Sequence, residues 1–527
     1  MSSHPIGLRR RQLLNLCAGL PLAGAPLIAS QTVFAQASAV SDAEALHLLN
    51  RLSWGPAPGD VMRMQQMGPD AWVDEQLHPQ RLPLPEGLTR ALDALPFTHL
   101  SQRDAVSQYR RAAQQARRDP EAGKEARQEM LKQLSLEAGE ARLLRAVGSP
   151  HQLQEVMVEF WFNHFNVFAG KGLDRVLVEN YEQEAIRPHV LGRFRDLLGA
   201  TAHHPAMLFY LDNWQSVAPG FQPRHAGAKN APTGLNENYA RELMELHTLG
   251  VDGGYSQSDV TELARMLTGW TFDLRAHGSS LFMFDPQRHD MGSKNWLGQT
   301  VAARGQAEGE WALDQLARHP STARHISDKL AQYFVADEPP ASLVDKLSRR
   351  FTTTDGDIRA VLQTLFASPE FRDPGRYGVK FKTPYRYVVS ALRASAIPVS
   401  NVRPLLGALR QQGMPLYGCP TPDGYKNTEQ AWLNPEAITR RVGFASALAS
   451  GRLSVDRPTE SLPPMANRGN DAAPNSPPSP QPQPVDLNSL LTTLGSGISG
   501  KTRAALQTEP KALQAALVLG SPDFMRH

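Results

Sequence analysis

The sequence predicts an all-α protein, a large multi-helix body with one small β-hairpin insertion near residues 280–301. Three observations carry that expectation. Apolar residues recur at helical intervals through almost every segment after residue 42, capping residues and Gly or Pro stops punctuate those segments, and strand-like runs are confined to one stretch. At 527 residues the chain is long enough for two or more units of ~100–200 residues, or for one large helical body.

The N-terminus is read as a signal. Arg9, Arg10 and Arg11 precede Gln12-Leu13-Leu14, and an apolar stretch broken by Gly and Pro runs from Leu13 through Ile28. This is a charged region followed by an apolar one, and Val33-Phe34-Ala35 supplies the small-residue pattern for cleavage before Gln36. The stretch is too short and too rich in Gly and Pro for a spanning helix, which needs about 20 apolar residues. Residues 1–35 are therefore expected to leave, with no stable membrane anchor after cleavage. Paired arginines followed by two leucines resemble the twin-arginine consensus. That resemblance implies export of an already folded chain, often around a cofactor, to the periplasm or beyond. Leu14-Asn15-Leu16 before Cys17 fits a lipoprotein box poorly, so lipidation is not expected.

Loss of residues 1–35 removes three arginines and no Lys, Asp or Glu, which takes the formal charge of +3 to neutrality. A neutral chain has no electrostatic footprint for nucleic acid. Cys419 is then the only cysteine, so no intramolecular disulfide forms and thiolate metal sites are excluded; it reads as a small packed residue beside Pro420.

The helices follow in order. Ser41-Asp42 caps the first, which carries Ala45, Leu46, Leu48 and Leu49 and is broken by Arg51-Leu52-Ser53-Trp54-Gly55-Pro56. Two short helices, Asp60 to Met67 and Ala71 to Leu77, come next. Residues 101–147 are dense in Arg, Glu, Gln and Ala, with Pro120 marking a turn; they predict a solvated helical hairpin. From His151 to Phe168 the character turns almost wholly apolar, as in a core helix. Further helices are predicted at Val178 to Leu198, Asn236 to Leu249, Ser256 to Leu267, Trp311 to Leu316, Ser321 to Phe334, Pro340 to Phe351, Asp357 to Phe366, Thr383 to Ala394 and Pro435 to Ser450. Residues 271–305 form the exception, a polar loop with Ser280 to Phe284 and Trp296 to Val301 as the arms of a hairpin. The body thus spans 42–455. A Pro-rich flexible linker at 456–486 and a helical segment at 487–527 complete the chain. Leu365 to Phe371 is echoed by Val518 to Phe524, both closing a helix on Ser-Pro, which reads as local helix-end chemistry.

Three constellations carry polar chemistry. Glu155, Glu159 and Asn163 share one stripe of the core helix, and His164 stands about 140° round from Glu159 at ~100° per residue. Two buried carboxylates need cations, donors or protons. Arg142 or Arg145 would supply a structural answer, a metal or acid–base site a functional one. The Glu-x-x-His spacing of di-iron bundles is absent. A second stripe places Asn238, Glu242 and Glu245 on one face of a helix beside Arg241, suited either to a hard cation, to base and acid, or to a closed ion-pair network. The third is the loop Phe284 to Lys294, where His289 and Asp290 offer a base or ligand pair and Lys294 an anion contact; the alternative is a polar hairpin tip. No Gly-rich phosphate loop, serine nucleophile elbow, Cys/His zinc spacing or haem-attachment motif appears.

Several strings together resemble the large bacterial family catalogued as domain of unknown function 1800 (DUF1800). They are Arg51 to Pro56, Phe160-Trp161-Phe162-Asn163-His164-Phe165, Asn238 to Leu246, Leu267-Thr268-Gly269-Trp270, His289-Asp290-x-Gly292-x-Lys294 and Thr421-Pro422-Asp423-Gly424-Tyr425. The resemblance covers roughly residues 42–450 plus the tail. It implies an exported helical protein with no established activity. It also implies a genomic association with a second exported family, domain of unknown function 1501 (DUF1501), similar to sulfatases and alkaline phosphatases. Two functions are expected. One is an enzyme whose carboxylate stripes and His289-Asp290 loop converge on one pocket. Glu242, Glu245, His289, Asp290 and Lys294 would do the chemistry on a polymer or small ester-like substrate, and Glu159, His164, Glu242 and His289 would hold a divalent metal. The other is a non-catalytic scaffold or chaperone for a co-exported DUF1501-like partner.

Overall fold

Side-chain caps written in the sequence set many of the helix boundaries. Ser41, Ser101, Asp119, Ser256, Asp357, Thr383 and Asn434 each accept a hydrogen bond from a backbone amide in the first turn of the helix they precede. The computed structural model describes residues 40–222, 234–274, 280–456 and 483–527. The signal expected at 1–35, most of the linker expected at 456–486 and residues 275–279 of the 271–305 loop lie outside the described residues. Residues 40–527 form one all-α unit with two small antiparallel hairpins.

The helix Gln152–His164 runs through the core, burying Leu153, Val156, Met157, Val158, Phe160, Trp161 and Phe162. Trp161 is fully enclosed and donates its indole N–H to the Val190 carbonyl at 3.2 Å, so a large apolar side chain is buried without orphaning its one donor. Pro120 turns the hairpin as the sequence predicts, between Gln102–Arg118 and Pro120–Gly148. The hairpin is solvated only in part. The last turns of Pro120–Gly148 bury Leu134, Glu137, Ala138, Ala141, Arg142, Leu143 and Ala146, because this half packs on the core helix and on Pro384–Ser395.

The continuous helix expected from Val178 to Leu198 does not form. Asp174–Asn180 is α-helical, Tyr181–Ile186 widens into a π-turn and Arg187–His189 tightens into a 3₁₀ turn before Phe194–His203 resumes. Pro188 explains the break: it has no N–H to donate and its ring crowds the preceding turn. The widened turn directs Glu182 into the core.

Residues 271–305 hold two hairpins where the sequence suggests one. Strand β1 (Trp270–Phe272) pairs with β2 (Phe282–Phe284), and β3 (Lys294–Trp296) pairs with β4 (Gln299–Val301). The segments expected to pair with each other each have a nearer partner, and Gly298 at φ +74° makes the tight β3–β4 turn. The C-terminal segment packs back on the body, with Leu487–Leu494 on Pro384–Ser395 and Lys511–Leu519 on Pro435–Ala449. Both Ser-Pro echoes are local stops, since Ser368 and Ser521 each cap the short turn that buries Phe371 and Phe524.

Around the core helix lies a closed set of charges. Arg187 grips Glu155 through two bonds of 2.7 and 3.1 Å and reaches Glu182 at 3.2 Å, while Arg142 meets Glu182 at 3.1 Å. Burial alone would raise Glu182, but Arg142, Arg187 and Arg145 outweigh it and hold the group low. Glu179 has no such balance; burial and then the Glu182 charge push it up to about 8. The folded chain thus takes up a proton at Glu179 that the unfolded chain, with an ordinary value of 4.5, does not hold. Its stabilising contribution is complete below that value and is lost as pH rises through 8, the direction linkage requires when the native state binds more protons. Denaturation midpoints followed from pH 5 to pH 8 are expected to fall in the parent chain and to fall less in Glu179→Gln.

Candidate functional site

Where the core helix meets Pro320–Phe334 and the irregular segment 414–428, a polar cavity of about 340 Å³ opens, within the size range of small-molecule sites. Glu159 and His164 line it from the core helix, and His325, Lys329 and Tyr333 from Pro320–Phe334. Asp423 and Lys426 line it from the irregular segment. A larger apolar groove of about 650 Å³ near the C-terminus has no comparable set of free groups; its Asp523 is already bonded to Ser499 and Thr502.

Glu159 is buried, and among the described residues its one side-chain hydrogen bond comes from the Tyr333 hydroxyl at 2.8 Å. Tyr333 in turn accepts from the Arg386 guanidinium at 3.3 Å. Burial raises the Glu159 carboxyl above its ordinary range, against the pull of Arg142, Tyr333 and Arg386. Behind it, Glu159 and Arg142 share a second, enclosed space of about 20 Å³, room for about one water. The Arg142 guanidinium is fixed there by the Phe162, Tyr385 and Tyr417 rings at 5.2, 5.4 and 5.2 Å.

Two imidazoles on the cavity are oriented by the turn that ends the helix Asn238–Glu245. The Nε2 of His164 faces the His247 carbonyl at 3.1 Å and that of His325 faces the Leu246 carbonyl at 3.2 Å. A carbonyl only accepts, so each ring donates there and keeps Nδ1 as its basic nitrogen. Burial, with Lys329 adding to it, holds His164 well below the ordinary histidine value and brings His325 to about 4. Both rings are neutral near pH 7.

The wall formed by residues 419–427 is irregular yet fully strapped. Asn163 donates to the Tyr425 carbonyl at 2.6 Å and accepts from the Tyr425 N–H at 2.7 Å. Asn166 bonds the Cys419 and Thr421 carbonyls, Tyr210 the Pro420 carbonyl and Lys380 the Asn427 carbonyl. Asn163, marked in the sequence beside two carboxylates, is therefore a clamp on backbone. Gly424 lies at φ +68°, and a Cβ there would stand 2.2 Å from the Asn163 carbonyl oxygen.

The remaining residues singled out in the sequence lie elsewhere. Glu242 and Glu245 are half-buried on their helix and do not line the cavity. Burial, the Glu245 charge and Asp423 on the cavity wall raise Glu242, with Arg241 opposing. His289, Asp290 and Lys294 close on a different centre, Glu308. His289 engages the Thr268 carbonyl through Nδ1 at 2.8 Å and Glu308 through Nε2 at 3.2 Å, and Lys294 meets Glu308 at 2.6 Å. Asp290 is gripped by Arg265 at 2.8 Å and offers its carbonyl to Lys294. The His289 and Lys294 side chains have no solvent exposure. This network leaves neither imidazole nitrogen free. The expected metal set of Glu159, His164, Glu242 and His289 does not converge, and among the described residues no group of three or more His, Cys, Asp or Glu is placed to hold an ion.

Lys329, His325, Tyr333 and Glu308 were not singled out by the sequence reading. The first three were hidden inside an ordinary amphipathic pattern, although His325 and Lys329 stand four residues apart on one helical face. Glu308 lies only in the first turn of Gln306–Arg318, a position that reads as helix-end chemistry.

The family model described as protein of unknown function (DUF1800) matches residues 47–526, nearly the whole chain. No curated protein and no solved structure matches it.

Gly424→Ala is expected to destabilise the chain by at least about 1–2 kcal/mol, the cost of a left-handed L-residue before the clash with Asn163 is added. Urea denaturation of the purified variant checks it, with Gly407→Ala, whose added Cβ meets nothing within 4 Å, as the control.

Proposed function

The chain belongs to the DUF1800 family, and we propose that it is an exported enzyme that uses general acid–base catalysis in the cavity between Gln152–His164 and Pro320–Phe334. The single observation that carries this reading is the chain Arg386–Tyr333–Glu159, which ends on a buried carboxyl at the wall of an accessible polar cavity. A carboxyl raised by burial remains a proton donor nearer to neutral pH than an exposed one, the tuning that acid–base sites use. Tyr333 and Arg386 orient it and carry charge away as it ionises. The neutral rings of His164 and His325, each with a basic Nδ1, are suited to pass a proton between substrate and solvent. The cavity volume and its polar walls suit a small, hydrogen-bonding substrate with a polarised carbonyl group, and the reading uses no metal ligand set.

The test is hydrolysis of a panel of chromogenic small esters by the exported chain. Glu159→Gln is expected to lose about 10²–10⁴-fold in kcat with an unchanged circular-dichroism spectrum. Unchanged turnover in that folded variant would sink the acid–base reading. Because the Tyr333 hydrogen bond lowers the Glu159 value, Tyr333→Phe is expected to move the high-pH fall in rate to higher pH.

Export is supported by Arg9, Arg10 and the apolar stretch after them. Replacing Arg9 and Arg10 together by Lys is expected to leave the uncleaved precursor in the cytoplasmic fraction, followed by immunoblotting of fractionated cells. Normal appearance of the processed chain outside the cytoplasm would rule out the twin-arginine route.

A further inference from the structure

We propose that Lys329 acts as an amine nucleophile and that the substrate of the cavity is a small polar aldehyde or ketone, which condenses with it; this deepens the acid–base reading and rests on it.

Among the described residues the other enclosed or cavity-facing lysines have partners; Lys382, which meets no carboxylate, donates to the Ser390 hydroxyl at 3.2 Å and stands over the Phe524 ring at 4.0 Å. Lys294 meets Glu308 at 2.6 Å, Lys171 meets Asp212 at 2.9 Å and Lys380 is paired with Asp337. Lys426, on the facing wall of the same cavity, meets Asp423 at 2.6 Å. Lys329 is half-buried, lines the cavity, and among the described residues has no carboxylate within ion-pair distance and no hydrogen-bond acceptor. Its surroundings are mixed in sign. Asp328 is its neighbour in the chain, Asp423 and Lys426 face it from the strapped wall, and its charge is felt by His164, His247 and His325. Burial first and Lys426 second push the amine below the ordinary lysine range, with Asp423 and Asp328 opposing. A lysine freed of its counter-ion and lowered in this way is the type that attacks carbonyl groups.

The other groups on the wall supply what condensation needs. The neutral Nζ lone pair adds to the carbonyl carbon; a C–N bond forms as the C=O π bond opens. A proton passes from nitrogen to oxygen through the neutral imidazole of His164 or His325, giving the carbinolamine. Glu159, in its protonated form, then donates to the hydroxyl, which leaves as water. The products are a protonated imine on Lys329 and the Glu159 carboxylate, so atoms and charge balance without an oxidant or reductant. Hydrolysis of the imine runs the same steps in reverse and restores the site.

The experiment traps the imine. The full exported chain is treated at neutral pH with limiting propionaldehyde and cyanoborohydride, and alkylated lysines are mapped by peptide mass spectrometry. Lys329 is expected to be labelled about tenfold or more faster than exposed Lys501, because it is a counter-ion-free amine beside groups that can pass protons. Glu159→Gln is expected to slow labelling at Lys329 and leave Lys501 unchanged. Lys329→Arg is expected to remove that label while the rest of the map is unchanged. Labelling of Lys329 no faster than of Lys501 would overturn the imine proposal, and does so even where Glu159→Gln still abolishes ester hydrolysis. Loss of the acid–base reading is read separately, from turnover that survives in Glu159→Gln.

Discussion

Between Arg142 and Glu182 two opposite charges stand 3.1 Å apart in a part of the core that water barely reaches. Neither group would survive there alone, since an unpaired buried charge costs several kcal/mol. The pair ties the hairpin helix Pro120–Gly148 to the π-turn at Tyr181–Ile186, and Arg187 extends the tie to Glu155 on the core helix. Three elements distant in sequence are thereby registered by charge as well as by packing. The same guanidinium stands behind Glu159, so the contact that organises the core also sets the field in which the cavity's carboxyl ionises. The candidate site is a boundary of the core's ion network, the place where that network meets solvent.

Much of the architecture was legible because helix boundaries are local events. Caps such as Ser101, Asp119 and Asn434, and the apolar run through Phe160-Trp161-Phe162, need no tertiary information to be read. The misreadings arose where a distant residue decides the outcome. Pro188 converts an expected helix into a π-turn and a 3₁₀ turn, but only the finished fold shows that this widening aims Glu182 at Arg142. The expected single hairpin is two because the reading that ends a helix at Leu267 and opens a polar loop at 271 assigns no strand to Trp270–Phe272, the partner of Phe282–Phe284.

The site was legible in part for the same reason. Helical phase identified Glu159 and His164, and it named Arg142 among the possible partners of the core stripe, although its direct ion pair is with Glu182. Phase says nothing about which stripes meet. Glu242 and Glu245 keep to a half-buried face, and the His289-Asp290-Lys294 string winds round Glu308, whose own position in the sequence is unremarked. A dense run of titratable residues in a loop signals a need for hydrogen bonds, and a buried carboxylate meets that need as well as a ligand would.

The strap over the cavity is held by Asn163, Asn166, Tyr210 and Lys380, and every one of those bonds ends on a main-chain atom of the strap. Of the strap residues that line the cavity, Asp423 and Lys426 bond to each other and carry none of that attachment, whereas the Tyr425 hydroxyl donates to the Pro415 carbonyl at 3.0 Å. Gly424 and Tyr425 thus belong to the wall's shape, while Asp423 and Lys426 can vary without it. Substitution at Asp423 or Lys426 therefore changes the charge on the cavity wall while leaving the bonds that hold the wall in place.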